Sequence, residues 1–210
     1  MAKYILHCMG ESGNAYKVAL MLALTGSDWE PRLVDYFGGE TRTPEFRSER
    51  NALGEVPVLE HRGKTLSQSG VILDYLAETT GRYGPTSNDE RREILRWTLF
   101  DNHKFTSYVA TLRFLTHFRK MDAADPVVTF FRDRALTAYG LVDKHLRTRP
   151  YLVGDRLTIA DLSLVGYCYY DGELGFEIGQ FEHITPWLAR IRATPGWKGP
   201  YDLMPRSYKG

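Results

Sequence analysis

The stretch with the most chemistry in this 210-residue chain runs from Leu53 to Gly70, LGEVPVLEHRGKTLSQSG. Pro57 has no N–H and restricts the residue before it, so Val56 is expected to be extended, with its N–H and C=O committed neither to a helix nor to a central ladder. Main-chain groups left open in that way can pair with another peptide. Further on, Ser69 reads as a helix N-cap, where converging N–H groups attract a carboxylate. A peptide-like ligand carrying a carboxylate is the chemistry these residues suggest.

The elements that must hold such a site follow from the patterning. Lys3 to Cys8 reads as a strand, and Ala15, Val18, Ala19 and Leu22 form one helical face that ends at Gly26. Arg32 to Val34 reads as a second strand. Thr43 followed by Pro44 marks a helix start. Pro57 to His61 and Lys64 to Leu66 flank Arg62-Gly63 as a hairpin, and a further helix carries Ile72, Leu73 and Leu76. The order is βαβαββα over residues 1–80. Gly81 to Ser87 is rich in Gly, Pro and Ser and gives a linker at 81–88. The remainder, 89–210, is helix-periodic: a long run from Arg91 to Lys120, one from Pro126 to about His145, one after Thr158 and one from Pro186. Thr158 and Asp161 form a capping-box variant, with Leu157 and Leu162 placed as a hydrophobic staple, so Asp161 is read as structural. The fold class is an α/β domain followed by an all-α one.

Composition narrows the function. A net charge of +1 lacks the electrostatic footprint of a nucleic-acid or anionic-membrane binder. Cys8 and Cys168 form no CxxC, which favours a reducing compartment over a disulfide framework. The apolar run at the N-terminus is too short for a signal peptide, and no window approaches a membrane span. A cytoplasmic protein without membrane or nucleic-acid partners is expected. His7-Cys8 has no further His or Cys at ligand spacing, so no metal is expected.

A small βαβαββα domain with Glu-Val-Pro-Val-Leu at 55–59, a hairpin, then Leu66-Ser67-Gln68-Ser69, joined to a helical domain with Thr-Ile-Ala-Asp at 158–161, resembles the cytosolic glutathione transferases. Gly39 to Phe46, GETRTPEF, is a third matching element. The resemblance spans essentially the whole chain. It implies a thioredoxin-like N-terminal domain that binds glutathione, a helical C-terminal domain that adds the second-substrate pocket, a homodimer, and no cofactor beyond glutathione as co-substrate. By the same resemblance, Val56 pairs its main chain with the cysteinyl residue of glutathione, with Pro57 cis. Gln68 and Ser69 hold the γ-glutamyl end, and Arg42 contacts the glycyl carboxylate. Glu55 and Thr41 depart from the family pattern, and a carboxylate at 55 would repel the glycyl end.

Members stabilise the glutathione thiolate with Tyr, Ser or Cys. The position of the tyrosine type is occupied by His7, and Cys8 lies on the strand rather than at the helix start. On residue type alone Ser12 is a capping serine; the resemblance makes it the thiolate donor. A thiol of pKa about 8.5 brought down by two units needs about 2.7 kcal/mol. A hydrogen bond to a charged group supplies about 1.5–3 kcal/mol, and the helix end adds about 0.3–1 kcal/mol. Asn14 either orients the thiolate or Ser12, or is a second capping residue. Met9, Phe105 and Tyr108 are candidates for the wall of the second-substrate pocket, against their reading as core aromatics and core Met. Asp101-Asn102-His103 is read as a solvated helix face, with contact to glutathione or a partner subunit as the alternative. The expected function is a glutathione transferase acting on a small hydrophobic electrophile. The alternatives are a non-catalytic binding or structural protein on the same fold, and a glutathione-dependent peroxidase or reductase.

Overall fold

The computed structural model describes residues 3–170 and 172–208. These form two compact units, one of residues up to 82 together with 194–210, the other of residues 83–193. The segment 194–210 was expected to close the helical domain and instead groups with the first unit: Gly10 N–H donates to Pro205 C=O, and the Tyr16 hydroxyl donates to Lys198 C=O at 2.9 Å.

In the first unit the order is β1 (Tyr4–Cys8), α1 (Gly13–Leu24), β2 (Trp29–Leu33), α2 (Pro44–Glu49), β3 (Val58–His61), β4 (Lys64–Ser67) and α3 (Ser69–Thr80). The sheet order is β2-β1-β3-β4, with β1 parallel to β2 and antiparallel to β3. That is the mixed sheet a βαβ half followed by a hairpin must give. Strand β2 is earlier than expected and carries Pro31 at its centre. A missing N–H is tolerated because β2 is an edge strand among the described residues. Arg62 and Gly63 both have positive φ, +50° and +73°, as a two-residue hairpin turn requires. Thr43 caps α2 by accepting from Phe46 N–H, with Pro44 in the first helical position. The buried core joins Leu6 and Leu59 of the sheet to Val18, Ala19 and Leu22 of α1 and Ile72, Leu73 and Leu76 of α3.

The second unit contains α4 (Asn88–Phe100), α5 (Thr106–Arg113), α6 (Pro126–Leu146), α7 (Ile159–Leu164) and α8 (Ile184–Arg192). The expected single helix 91–120 is α4 and α5 interrupted by two π-helical turns, Asp101–Phe105 and Phe114–Phe118. Helix α8 begins two residues before Pro186, which sits in its first turn, where a missing N–H costs nothing. The capping box of α7 is present. The Asp161 carboxylate is fully buried and accepts from Thr158 N–H at 2.9 Å, Leu152 N–H at 2.9 Å and Trp187 Nε1 at 3.0 Å. A short helix α9 (Pro200–Leu203) belongs to the first unit. Among the described residues no helix is long and apolar enough to cross a membrane.

Candidate active site

Strand register brings three chain segments to one end of the sheet. His7 pairs with Val58, so Met9 leaves β1 where Val56 and Pro57 enter β3. Val58 pairs with Ser67, so Gln68 and Ser69 leave β4 at the same end. Helices α1 and α3, which begin there, pack on one another.

Ser12 ends a turn closed by its N–H donating to Met9 C=O at 3.1 Å. It is the N-cap of α1, with extended backbone (φ −89°, ψ 108°), and its Oγ accepts from Ala15 N–H at 3.2 Å. The oxygen is therefore fixed at the positive end of a 12-residue helix, and its hydrogen is available to donate. Asn14 is in the first turn of the same helix, and its Oδ1 accepts from the Ser69 hydroxyl at 3.4 Å, a bond that links α1 to α3. The neighbouring alternatives are placed differently. Burial pushes the Cys8 thiol up to about 12, against a small lowering by a main-chain hydrogen bond, which removes it as a nucleophile at neutral pH. His7 Nε2 lies 2.9 Å from Glu60 Oε1, which also accepts from Arg50.

The Val56–Pro57 bond is cis. Among the described residues no hydrogen bond engages the Val56 main chain, and its side chain packs on Val34, Phe46 and Val58. The preceding loop is held by Asn51, a residue the sequence reading did not single out. Its side chain accepts from Leu53 N–H and donates to Glu55 C=O at 3.0 Å. The signal was present as Asn-Ala-Leu-Gly, an Asx turn followed by a residue of positive φ. Gly54 has φ +68°, and a Cβ there would meet Thr41 C=O at 2.7 Å.

Gln68, rather than Ser69, is the N-cap of α3. It has φ +69°, a region strained for a residue with a Cβ, and makes no side-chain cap bond. Ser69 is the first helical residue, and its hydroxyl turns to Asn14. Gln68 Nε2 donates to Glu55 Oε2 at 3.2 Å, so the Glu55 carboxylate is drawn towards the Gln68-Ser69 segment. Arg42 is exposed, and its guanidinium folds against Gly39, where a Cβ would come within 3.0 Å of it. Thr41 is buried.

The residues expected to line a second-substrate pocket have different surroundings. Met9 is buried beside the Ser12 turn, and Tyr108 is half-buried, its ring 6.4 Å from that of Phe131. Phe105 has no exposed surface and stacks on Tyr139 at 4.2 Å; it is core, and that expectation is not met. Asp101, expected on a solvated face, is fully buried and accepts from the hydroxyls of Thr106 and Ser163, both at 2.5 Å. Asn102 and His103 are exposed.

Residues 2–78 match the family described as glutathione S-transferase, N-terminal domain, and residues 114–195 match glutathione S-transferase, C-terminal domain. The chain belongs to the glutathione S-transferase family. It is similar to glutathione S-transferase F14 of Arabidopsis thaliana, 26% identical over 93% of this chain and 82% of that protein. A glutathione S-transferase from Pseudomonas fluorescens Pf-5 has a similar structure, with a TM-score of 0.88 and 31% identity over 94% of this chain and 98% of that one. A second family member from Pseudomonas fluorescens Pf-5, solved with two glutathione bound, has a TM-score of 0.79 and 26% identity over 92% of this chain and 89% of that one.

Proposed function

We propose that this glutathione S-transferase family member activates the thiol of glutathione for attack on a small, mostly apolar electrophile. The observation that carries the reading is the convergence, at one sheet end, of an unengaged Val56 main chain with a helix-capping Ser12 hydroxyl. Val56 would pair with the cysteinyl residue and set its sulfur towards Ser12. The Ser12 O–H would donate to the thiolate while its oxygen keeps the Ala15 bond. Asn14 then acts by holding α1 against Ser69. Arg42 would take the glycyl carboxylate. Gln68 and Ser69 would take the γ-glutamyl carboxylate, and Glu55, held beside Gln68, offers an acceptor to the γ-glutamyl ammonium instead of repelling the other end. The sulfur forms a bond to the electrophilic carbon as the leaving group departs with its electron pair. Holding the tripeptide at three points supplies proximity, and Met9, buried beside the Ser12 turn, is the proposed apolar contact of the second substrate.

A cytoplasmic homodimer is the expected state. Leu95 and Leu99, one turn apart on α4 and both exposed, offer an apolar strip for a second copy, which light scattering would detect. The activity is tested by melting the protein with millimolar glutathione and then assaying an aryl halide. Stabilisation with turnover is expected. Stabilisation without turnover would leave only a binding protein, and no stabilisation would refute glutathione as the ligand.

A further inference from the structure

We propose that Glu11 is a positioning residue for Ser12, acting through a strap formed by residues 204–208. The turn that presents Ser12 runs from Met9 to Ser12, and Gly10 and Glu11 are its two central residues. Both are bound to the strap. Gly10 N–H donates to Pro205 C=O at 2.6 Å. The Glu11 carboxylate, 1% exposed, accepts from Ser207 N–H and Tyr208 N–H, each at 3.0 Å, with Arg206 Nε at 3.6 Å. The fit is close: a Cβ on Gly10 would lie 3.0 Å from Tyr201 Cδ1, 3.2 Å from Met204 O and 3.3 Å from Pro205 O. The strap also reaches the segment that leads to Arg42. The Ser207 hydroxyl donates to Asp35 Oδ1 at 3.1 Å and accepts from Phe37 N–H at 3.3 Å. All these contacts lie within the first unit.

A carboxylate buried beside a site meant to stabilise an anion has an electrostatic cost, so its place calls for a reason. Here its two oxygens are taken up by two main-chain N–H groups, and what they fix is the turn. Hydrogen bonds weaken steeply once the donor angle falls below about 120°. A reactive group must be held to within about 0.5 Å and 10–20° of its working geometry. The Ser12 O–H direction is set by the backbone of this turn, and Glu11 and Pro205 hold both of its central residues. The strap fastens the thiolate donor and the 35–42 segment to one another.

This inference rests on the assignment of Ser12 as the thiolate donor. The test is a pH titration of the ultraviolet absorbance of the thiolate of bound glutathione. It compares the full chain, Glu11→Gln, Gly10→Ala and a chain ending at Met204. The full chain is expected to ionise the thiol about two pH units below its free value. The variants are expected to ionise it about one pH unit higher than the full chain, with about tenfold less thiolate at a given acidic pH, and kcat falling without a change in KM for the electrophile. Where Glu11→Gln does not fold, Gly10→Ala, which displaces the strap and keeps every side chain of it, carries the comparison. Melting points that fall while the midpoints stay with the full chain would make the strap merely structural and overturn the proposal. Failure of Ser12 itself is distinguished by Ser12→Ala: if that variant titrates like the full chain, the assignment of Ser12 falls and this inference with it.

Discussion

Replacing Ser12 by Ala removes one hydroxyl with two separable duties, and the size of each can be set beforehand. The oxygen caps α1 through Ala15 N–H at 3.2 Å, and losing a serine cap costs about 0.5–2 kcal/mol of stability. The hydrogen, in the proposed mechanism, donates to the glutathione thiolate, and such a bond is worth about 1.5–3 kcal/mol. At about 1.4 kcal/mol per pH unit, its loss raises the bound thiol's ionisation midpoint by one to two units. Turnover of an aryl halide should then fall about 10- to 100-fold below about pH 7. The defect should shrink as pH passes about 8.5, where glutathione ionises unaided. Stability alone gives no such pH dependence. Ser12→Gly sharpens the comparison, because glycine is a tolerated N-cap, within a few tenths of a kcal/mol of serine, yet has no hydroxyl. Its melting point should stay near that of the parent, and its rate should fall as far as that of Ser12→Ala. Unchanged midpoints in both variants would refute Ser12 as the thiolate donor.

Four further outcomes are expected. Asp161→Ala strips the acceptor from Leu152 N–H, Thr158 N–H and Trp187 Nε1, each buried, and should destabilise the chain by at least about 3 kcal/mol in urea melts. Gly54→Ala puts a Cβ on a backbone with φ +68° and 2.7 Å from Thr41 C=O; it should cost about 2 kcal/mol and weaken glutathione binding measured by calorimetry, since Glu55 and Val56 follow directly. Burial, helped by the charges of Arg149 and Arg96, holds the His145 imidazole below the ordinary range, so stability present above about pH 6.5 should be lost as pH falls through that value towards the lower folded one, and His145→Gln should flatten the profile in melts from about pH 7.5 to 5.5. Cys8, pushed up to about 12 by burial, and the equally buried Cys168 should not react with a disulfide reagent near pH 8 until the chain is denatured.

The elements whose residues carry local stereochemistry were readable from the chain. Thr43-Pro44 opened a helix, Arg62-Gly63 turned a hairpin, and Thr158 with Asp161 capped α7, because each is decided by a few adjacent residues. The errors fall where tertiary structure overrides type. Gln68 takes a positive φ that no glutamine announces, so Ser69 was read as the cap one position late. Pro31 hid most of β2 because tolerance of a proline depends on being at an edge, a property of the sheet and not of the strand. Asp101 looked like part of a solvated face because the acceptor needs of Thr106 and Ser163, the latter 62 residues away, cannot be seen along the chain. Phe105 was indistinguishable from a pocket residue until Tyr139 stacked on it. In the candidate site, the cis Val56–Pro57 bond and the meeting of Val56 with Gln68 and Ser69 at one sheet end were legible because one short segment encodes them. Glu11 was not, since its partners lie 196 and 197 residues further on.

The sequence posed capping and catalysis as rival accounts of Ser12, and the geometry makes them complementary. A hydroxyl has lone pairs and one hydrogen. Accepting the Ala15 N–H uses a lone pair and fixes the oxygen; donation to a thiolate uses the hydrogen. Acceptance at the positive end of a helix also polarises the O–H and makes it the stronger donor, as in any chain of hydrogen bonds in a low-dielectric setting. The same cap that starts α1 therefore supplies preorganisation, which is what electrostatic stabilisation of a developing or resting anion requires. Cysteine could not take over both duties, because sulfur is a weak acceptor and would leave the helix start poorly satisfied. In the proposed mechanism the donor sits on the cap, its oxygen held by Ala15 N–H, and Gly10 and Glu11 of its turn are tied to 205–208.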